Sequence, residues 1–174
     1  MRSIHVCQII ILVFTLSLFS ACNSPKTDLS DSEKELIETY QFTDWNGNTI
    51  SIEDFKGSLV VLDFWETWCG PCLSSFPGFQ RTLEEYPDDI VIIAATVGWQ
   101  DSRVDAVEFR DEMDYDFIYV DGMELSEKLG FQSIPFKIII NREGNVEMVQ
   151  RGSAGAEREY EKLVERIQKY SNQR

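Results

Sequence analysis

The sequence predicts an α/β fold in which helices flank a central, mixed β-sheet. From about Tyr40 onward, apolar runs typical of strands alternate with segments of helical periodicity. The last two predicted strands flank the turn Asn141-Arg142-Glu143-Gly144, so this part of the sheet is expected to be antiparallel. The chain has 174 residues, of which 43% are hydrophobic, enough for one domain with a core and an N-terminal appendage.

The strands are predicted from apolar runs and turn signals. Asn46-Gly47 separates residues 40–44 from residues 49–52, which predicts an N-terminal β-hairpin extension. The apolar run within residues 58–65 predicts a buried central strand. Further strands are predicted over residues 90–97, 117–120, 136–140 and 146–150.

The helices are predicted from apolar side chains at helical spacing. One helix follows Cys72, and Pro77 inside it is the expected site of a kink. Ser102 is expected to cap a second helix. The inward face of that helix is expected to carry Val104, Val107 and Met113. Two more helices are predicted over residues 124–129 and 157–170.

Residues 1–21 have the pattern of an export signal. Arg2 and His5 give a short positive start, and residues 9–19 are almost wholly apolar. This run covers roughly 11 residues, whereas a helix that spans a bilayer needs about 20. Export is therefore expected, and a cleaved, lipid-attached protein is the leading interpretation. An uncleaved anchor or plain secretion would also place the domain outside the cytoplasm. The alternative without export is that the segment is a core helix.

The end of this signal, Leu18-Phe19-Ser20-Ala21-Cys22, resembles the lipobox of bacterial lipoprotein precursors. In that family the cysteine is acylated and becomes the new N-terminus; Phe19 departs from the smaller aliphatic residue that is usual there. The resemblance implies a lipoprotein signal peptide over residues 1–21, a lipidated Cys22 with a polar tether over residues 22–39, and a folded domain over residues 40–174. Residues 33–39 either begin a short helix or continue the tether.

Cysteine and histidine counts restrict the chemistry of the domain. Cys7 lies within the signal and Cys22 lies at its edge, so Cys69 and Cys72 are the only thiols of the predicted domain. The only histidine, His5, also lies in the signal, which excludes serine–histidine triads and histidine-bound zinc or haem in the processed protein. No metal or other cofactor is expected. The formal charge of −14 argues against nucleic acid as a partner.

The segment Trp68-Cys69-Gly70-Pro71-Cys72 lies where the central strand passes into a helix. A thiol at a helix N-terminus faces free backbone N–H groups, which favour its thiolate, so Cys69 is the predicted nucleophile with a lowered pKa. Cys72, one turn further on, is placed to resolve a mixed disulfide. The two cysteines could be half of a zinc site, but the domain offers no further Cys or His to complete four ligands. A c-type haem site would need a histidine where Leu73 stands. An inert cysteine pair is the remaining alternative.

Ile134-Pro135 precedes an apolar strand, and because proline cannot donate to a central ladder it belongs at the start of that strand. A plain strand-start proline is the simpler interpretation. Together with the cysteine motif, however, it resembles thioredoxin. In that family the Ile-Pro bond is cis and lies against the cysteines, where backbone groups bind the substrate peptide. The resemblance therefore implies substrate binding by Gly70, Pro71, Ile134 and Pro135. Trp65 and Trp68 frame the motif, and they either give an apolar rim for substrate docking or simply pack in the domain.

The resemblance covers residues 40–170 and is closest, over residues 64–72, to the TlpA/ResA-like branch of the thioredoxin-like proteins. That branch contains membrane-anchored reductases that serve extracytoplasmic proteins, including cytochrome c maturation. It implies a thioredoxin-like domain in the cell envelope, lipid-anchored and facing the periplasm. Its partners would be client proteins with disulfides and a membrane thiol donor, and Gly70-Pro71 resembles the reducing thioredoxins.

Three further residues test this resemblance. Asp63 matches the buried acid of thioredoxin that lies beneath the second cysteine and moves its proton; an outward-facing Asp63 is the alternative. Ser75 stands where many ResA-like proteins carry a glutamate, three residues after the second cysteine. Glu66 lies near the motif, and we expect its side chain to be solvated.

Two other functions are compatible with such a domain. A thiol peroxidase would use one activated cysteine held by an arginine and a threonine or serine; Thr67 is close, but Arg81 is not obviously placed for this. A tethered thioredoxin-like adaptor would dock clients without turnover, and the intact cysteine pair argues against it.

Overall fold

The computed structural model describes residues 29–171, which form a five-stranded mixed sheet, a small two-stranded hairpin and six helices. In chain order the elements are α1 (Asp31–Glu38), β1 (Gln41–Thr43), β2 (Thr49–Ser51), a 3₁₀ turn (Ile52–Phe55), β3 (Leu59–Trp65), α2 (Gly70–Leu73), α3 (Phe76–Glu85), β4 (Ile90–Thr96), α4 (Arg103–Met113), β5 (Ile118–Asp121), α5 (Met123–Leu129), β6 (Phe136–Ile140), β7 (Val146–Arg151) and α6 (Ala156–Ser171).

The large sheet has the strand order β5-β4-β3-β6-β7, so β3 lies at its centre. The neighbours β3, β4 and β5 are parallel, whereas β6 and β7 are antiparallel to the strands they pair with. Every residue of β3 is buried because both faces of the sheet are covered. The predicted mixed sheet and the hairpin β1–β2 are both confirmed.

Alternate residues of β3 face two separate apolar clusters. Val60, Leu62 and Phe64 belong to the cluster that also holds α1, α5 and the hairpin. Val61 and Trp65 belong to the other cluster, which holds residues of α3, α4 and α6 together with both cysteines of the motif. The second face of the sheet is therefore the one that supports the cysteine pair.

The helical segment after the cysteines differs from the prediction. Instead of one helix kinked at Pro77, two helices α2 and α3 are separated at Ser74-Ser75, and Pro77 lies in the first turn of the second helix. Proline has no N–H to donate, so it is accommodated in a first turn more readily than inside a helix. Ser102 caps α4 as predicted.

The predicted inward face of α4 is wrong. Val104 and Met113 are exposed, and the residue of this helix that is buried is Ala106. The helix therefore meets the sheet with Ala106 and with Phe109, which packs against Trp65 and Phe76, and not with Val104 and Met113.

Residues 31–38 form a capped helix. Of the two possibilities for residues 33–39, a short helix or a continued tether, the structure shows the helix. Ser30 and Glu33 make a reciprocal capping box, and Ile37 is fully buried in the apolar cluster on the first face of the sheet. This part of the chain folds with the domain, which corrects the predicted end of the tether at residue 39.

The predicted signal peptide and Cys22 lie outside the described residues. Within residues 29–171, no helix has the length and apolar character needed to cross a membrane.

Candidate active site

The centre of the site is a disulfide between Cys69 and Cys72, whose Cα atoms are 5.2 Å apart. Cys69 is the N-cap of α2, and the backbone N–H of Cys72 donates to the Cys69 sulfur at 3.3 Å. Gly70 and Pro71 form the first turn of this short helix, as the motif predicts. Cys69 is 3% exposed and Cys72 is fully buried, so any attack from outside meets Cys69 first.

The Ile134-Pro135 peptide bond is cis, which confirms that part of the resemblance. Phe136 pairs with Phe64 in the β3–β6 ladder, so Pro135 comes level with the end of β3, where the chain leaves for the cysteines. The Pro135 carbonyl accepts a hydrogen bond from Gly152 at 2.9 Å, and Ile134 packs against both apolar clusters. The loop before β6 is thereby fixed at the same edge of the sheet as the disulfide.

Two tryptophans are exposed in the loops at this edge. Trp68 is 46% exposed, and Trp99, in the loop after β4, is 42% exposed. Trp65, which we expected to share the apolar rim, is instead fully buried against Phe76. The exposed tryptophan surface at this edge therefore comes from Trp68 and Trp99, and sequence reasoning missed the second because it is distant in the chain.

Glu66 is fully buried, so the expectation of a solvated side chain is wrong. Its carboxylate accepts hydrogen bonds from the Trp68 indole, from the backbone N–H of Trp99, and from those of Gln100 at 3.1 Å and Asp101 at 3.5 Å. Glu66 therefore joins the cysteine loop to the loop after β4 and orients Trp68.

A second carboxylate joins the same two loops in the reverse direction. Asp101 accepts hydrogen bonds from the Thr67 backbone N–H and, at 2.9 Å, from the Thr67 hydroxyl. Because each loop supplies a carboxylate to the other, the residues just before Cys69 are held from both sides.

Asp63 points into the protein, which excludes the outward-facing alternative. It is fully buried between Val61 and Trp65 on the face of β3 that packs against the cysteine cluster. Neither of its carboxylate oxygens has a hydrogen-bond partner. Burial raises the pKa of Asp63 to about 8; the nearby Lys137 opposes this rise and Glu159 adds to it.

Lys137 and Glu159 are buried charged residues that sequence reasoning missed. Lys137 is directly opposite Asp63 in the β3–β6 ladder, and its ammonium group is 3.0 Å from a carboxylate oxygen of Glu159. A charged residue inside an apolar strand is costly unless it has a role, which is why Asp63 was singled out from the sequence. Lys137 lies inside the apolar run Phe136–Ile140 and could have been identified by the same reasoning.

The arrangement expected of a thiol peroxidase is absent from the described residues around Cys69. Thr67 is engaged by Asp101. Arg81 is exposed on α3, where it pairs with Glu85 and Glu157. These two side chains therefore do not converge on a peroxide site beside the cysteine. Within residues 29–171, no three His, Cys, Asp or Glu side chains gather as a metal site.

Known proteins resemble the chain over most of its length. The AhpC/TSA family matches residues 33–149. The thiol-disulfide oxidoreductase ResA of Bacillus subtilis (strain 168) is 26% identical over 148 residues, which are 83% of this chain and 80% of ResA. The thioredoxin-like protein YneN of the same strain is 25% identical over 130 residues, which are 74% of this chain and 76% of YneN.

Two solved structures share both the fold and detectable sequence identity. StoA from Bacillus subtilis superposes with a TM-score of 0.58 and is 26% identical, covering 70% of this chain and 93% of StoA. The exposed lipoprotein thioredoxin Etrx1 from Streptococcus pneumoniae strain TIGR4 has a TM-score of 0.59 and 28% identity, covering 72% of this chain and 98% of Etrx1. With the cysteine disulfide and the cis proline in place, these matches show that the chain belongs to the AhpC/TSA family and is a thioredoxin-like thiol-disulfide oxidoreductase.

Proposed function

We propose that this protein reduces disulfides of extracytoplasmic proteins through the pair Cys69 and Cys72. One observation carries the proposal: the pair has a surface side and a buried side with different chemistry. On the surface side Cys69 retains slight exposure beside Trp68. On the buried side the cluster around Cys72 continues into a titratable carboxyl, Asp63, that no hydrogen bond satisfies.

The proposed reaction moves two electrons from the dithiol to the client. The Cys69 thiolate attacks a client sulfur, a mixed disulfide forms, and the first client sulfur leaves as a thiolate that takes a proton from water. Cys72 then loses its proton, and its thiolate attacks the Cys69 sulfur. The Cys69–Cys72 disulfide closes, and the second client sulfur leaves as a thiolate.

Asp63 is proposed to accept the Cys72 proton in the second step. With the pKa raised to about 8, Asp63 is mostly protonated at neutral pH when the disulfide is closed. This is the protonation state that the step leaves behind. Asp63 keeps this proton while the disulfide is closed and returns it to the Cys72 thiolate when a thiol donor reduces the pair, so the carboxylate can again accept a proton.

Client docking is proposed to use the loops around the disulfide. Trp68 and Trp99 offer exposed aromatic surface, and the Ile134-Pro135 loop lies at the same edge of the sheet. A client segment in extended conformation could contact these loops while its disulfide meets Cys69. Trp68→Ala and Trp99→Ala should each raise KM for a protein client several-fold while leaving reduction of a small aromatic disulfide unchanged.

Anchoring through Cys22 remains our proposal for localisation. The lipobox-like segment supports it, as does similarity to a streptococcal protein described as an exposed lipoprotein thioredoxin. In a bacterial host, the wild-type protein should incorporate an acyl label and fractionate with membranes, and Cys22→Ala should do neither. Labelling that persists in Cys22→Ala would contradict the anchor.

The reducing direction is tested by the equilibrium potential of the pair against glutathione. A potential below that of glutathione would support a reductant, and one well above it would identify an oxidant instead. A membrane thiol donor is proposed to return the electrons. Its thiolate would attack Cys69 of the oxidised wild-type protein, form a mixed disulfide and release the Cys72 thiolate. A reduced donor variant without its resolving cysteine should therefore be captured by the oxidised wild type after acid quenching, and it should not be captured by Cys69→Ser, which has no disulfide to attack.

Activity assays on one purified sample separate the three functions. Insulin reduction with a thiol donor is expected for the wild type, with loss in Cys69→Ser and accumulation of mixed disulfides in Cys72→Ser. Peroxide consumption without insulin reduction would identify a peroxidase. Client capture without turnover would identify an adaptor.

A further inference from the structure

Three charged residues share a buried site behind the cysteine pair. Asp63, Lys137 and Glu159 are 0%, 1% and 2% exposed, and they come from β3, β6 and α6 respectively. Charged side chains are seldom buried unless they are paired. Lys137 and Glu159 are paired, but Asp63 accepts no hydrogen bond.

The fold brings these residues together by ladder register and by close helix packing. Lys137 lies directly opposite Asp63, so both side chains leave the same face of the sheet. A side chain at Gly78 would have its Cβ only 2.1 Å from the Ala156 carbonyl oxygen, so the glycine lets α3 approach the start of α6. That approach places Glu159, one turn further along α6, beside Lys137.

The partners of Lys137 and Glu159 hold the ion pair as a unit. The Lys137 ammonium contacts Glu159 at 3.0 Å and donates to the Ser75 hydroxyl at 3.3 Å. The Gln150 side chain donates to both Glu159 oxygens, at 2.8 and 2.9 Å. The Lys137 ammonium group is thus bound by Ser75 and Glu159 and makes no hydrogen bond to Asp63.

We propose that Glu159 and Lys137 are positioning residues that keep Asp63 available for proton exchange with Cys72. Glu159 retains the Lys137 ammonium group, which would otherwise form an ion pair with Asp63 and fix it as a permanent anion. Lys137 in turn neutralises Glu159, whose negative charge would otherwise keep Asp63 permanently protonated. The roles of both residues rest on the proposed dithiol function of the cysteine pair.

Other groups near Asp63 do not supply a competing charge. In the layers packed against it, α2 contributes Cys72, β4 contributes the apolar Ala94 in the neighbouring register position, and β7 contributes the uncharged Gln150 beside Glu159. The Tyr119 hydroxyl of β5 is neutral at assay pH because burial raises its pKa. The charges that act on Asp63 are therefore those of Lys137 and Glu159.

Removing either member of the pair should move the ionisation of Asp63 in opposite directions. In Glu159→Gln the unpaired Lys137 favours the Asp63 carboxylate, so the pKa of Asp63 falls. In Lys137→Met the unpaired Glu159 disfavours a second negative charge, so the pKa rises further. Each shift should correspond to at least about a tenfold change in proton affinity.

The test is an NMR titration of the Asp63 carboxyl in the oxidised full-length domain and in these two variants. Glu159→Asp, which keeps the charge, is the matched control and should titrate close to the wild type. The double variant Lys137→Met/Glu159→Gln leaves no unpaired member of the pair, so it should fold even where a single variant does not. Its Asp63 should titrate within about tenfold of the wild type.

A purely structural role for the ion pair would lower thermal stability in every variant without opposite pKa shifts. Shifts in the same direction, or none, would overturn the assignment, as would a double variant that departs from the wild type by more than about tenfold. Insulin reduction by the wild type is measured alongside. Its absence together with opposite shifts would overturn the proposed function alone, and its presence without those shifts would overturn only the positioning role.

Discussion

Asp63 and Glu66 are two fully buried carboxyl groups only three residues apart, yet their surroundings are opposite. Glu66 accepts hydrogen bonds from the Trp68 indole and from backbone N–H groups of residues 99–101. Asp63 accepts none, and it faces an apolar cluster with a lysine whose ammonium group is bound elsewhere.

The difference shows that burial alone does not make a carboxyl a proton acceptor. A carboxylate that several N–H groups satisfy is a structural connection, and Glu66 fixes two loops in this way. When a buried carboxyl group has no hydrogen-bond donors, nothing offsets the loss of water around its charged form. Its pKa therefore rises toward the range in which thiols titrate. In this protein the presence or absence of hydrogen-bond donors, and not the depth of burial, distinguishes the two carboxyl groups.

The largest expected effect is on stability as a function of pH. The pKa of Asp63 is about 8 in the folded protein and 3.8 in its ordinary state. A raised carboxyl pKa means that the folded state holds the proton more tightly, so the contribution of Asp63 to stability is full below pH 4 and is lost as pH rises toward 8. The loss is on the order of 5 kcal/mol.

Asp63→Asn should remove this slope and be more stable than the wild type near pH 8. Denaturant unfolding at several pH values measures it, and Asp88→Asn, which changes an exposed carboxylate, is the matched control. Parallel stability curves for the wild type and Asp63→Asn would show that Asp63 does not titrate in this window.

The second effect is on turnover. Asp63→Asn should slow insulin reduction at pH 7 by about a hundredfold, because general acid–base assistance typically contributes at least that much. Glu66→Gln should slow it only a few-fold, since Glu66 orients a loop and exchanges no proton. Steady-state rates under one set of conditions compare the two, with Asp88→Asn again as the control. Equal losses in both variants would remove the distinction between the two carboxyl groups.

The third effect is a stability loss in Glu66→Gln. The amide group of glutamine turns a donor toward backbone N–H groups that need an acceptor, so about 1–3 kcal/mol should be lost. Unlike the Asp63 effect, this loss should be present across the neutral pH range. Chemical denaturation of Glu66→Gln against the wild type measures it; an unchanged midpoint would mean that the two loops are held by other contacts.

The smallest effect is expected at Asp101. Asp101→Asn retains one acceptor for Thr67 but weakens the second hydrogen bond, which should cost about 1 kcal/mol. Activity should change little, because Glu66 still connects the same loops. The measurement is again a denaturation midpoint. A stability loss larger than that of Glu66→Gln would mean that Asp101, and not Glu66, makes the stronger connection between the two loops.

The sequence predicted most strands and helices because their apolar periodicity is local. It also identified Asp63, since a charged residue within an apolar strand is costly unless it has a role. It failed for Glu66, whose partners come from the loop at residues 99–101, a connection that no local pattern reveals. Lys137 carried the same signal as Asp63 but was overlooked, and Glu159 looks like an ordinary exposed helix residue until α6 is packed on α3.

The separation of α2 from α3 illustrates another limit. Apolar spacing continues across Ser74-Ser75 as if the helix were unbroken, and only the position of Pro77 hints that a new helix begins there. The exposed side chains of α4 show the same limit, because spacing alone does not say which face of an amphipathic helix meets the sheet.

The most direct test of the account follows the two steps of dithiol oxidation separately. Reduced protein is mixed with a chromogenic aromatic disulfide, so that attack by Cys69 releases one coloured thiolate and closure by Cys72 releases a second. We predict that the second phase is slowed in Asp63→Asn and loses its dependence on a group that titrates near pH 8, whereas Glu66→Gln keeps the wild-type profile. An unchanged second phase in Asp63→Asn would contradict the assignment of Asp63 as the proton acceptor for Cys72.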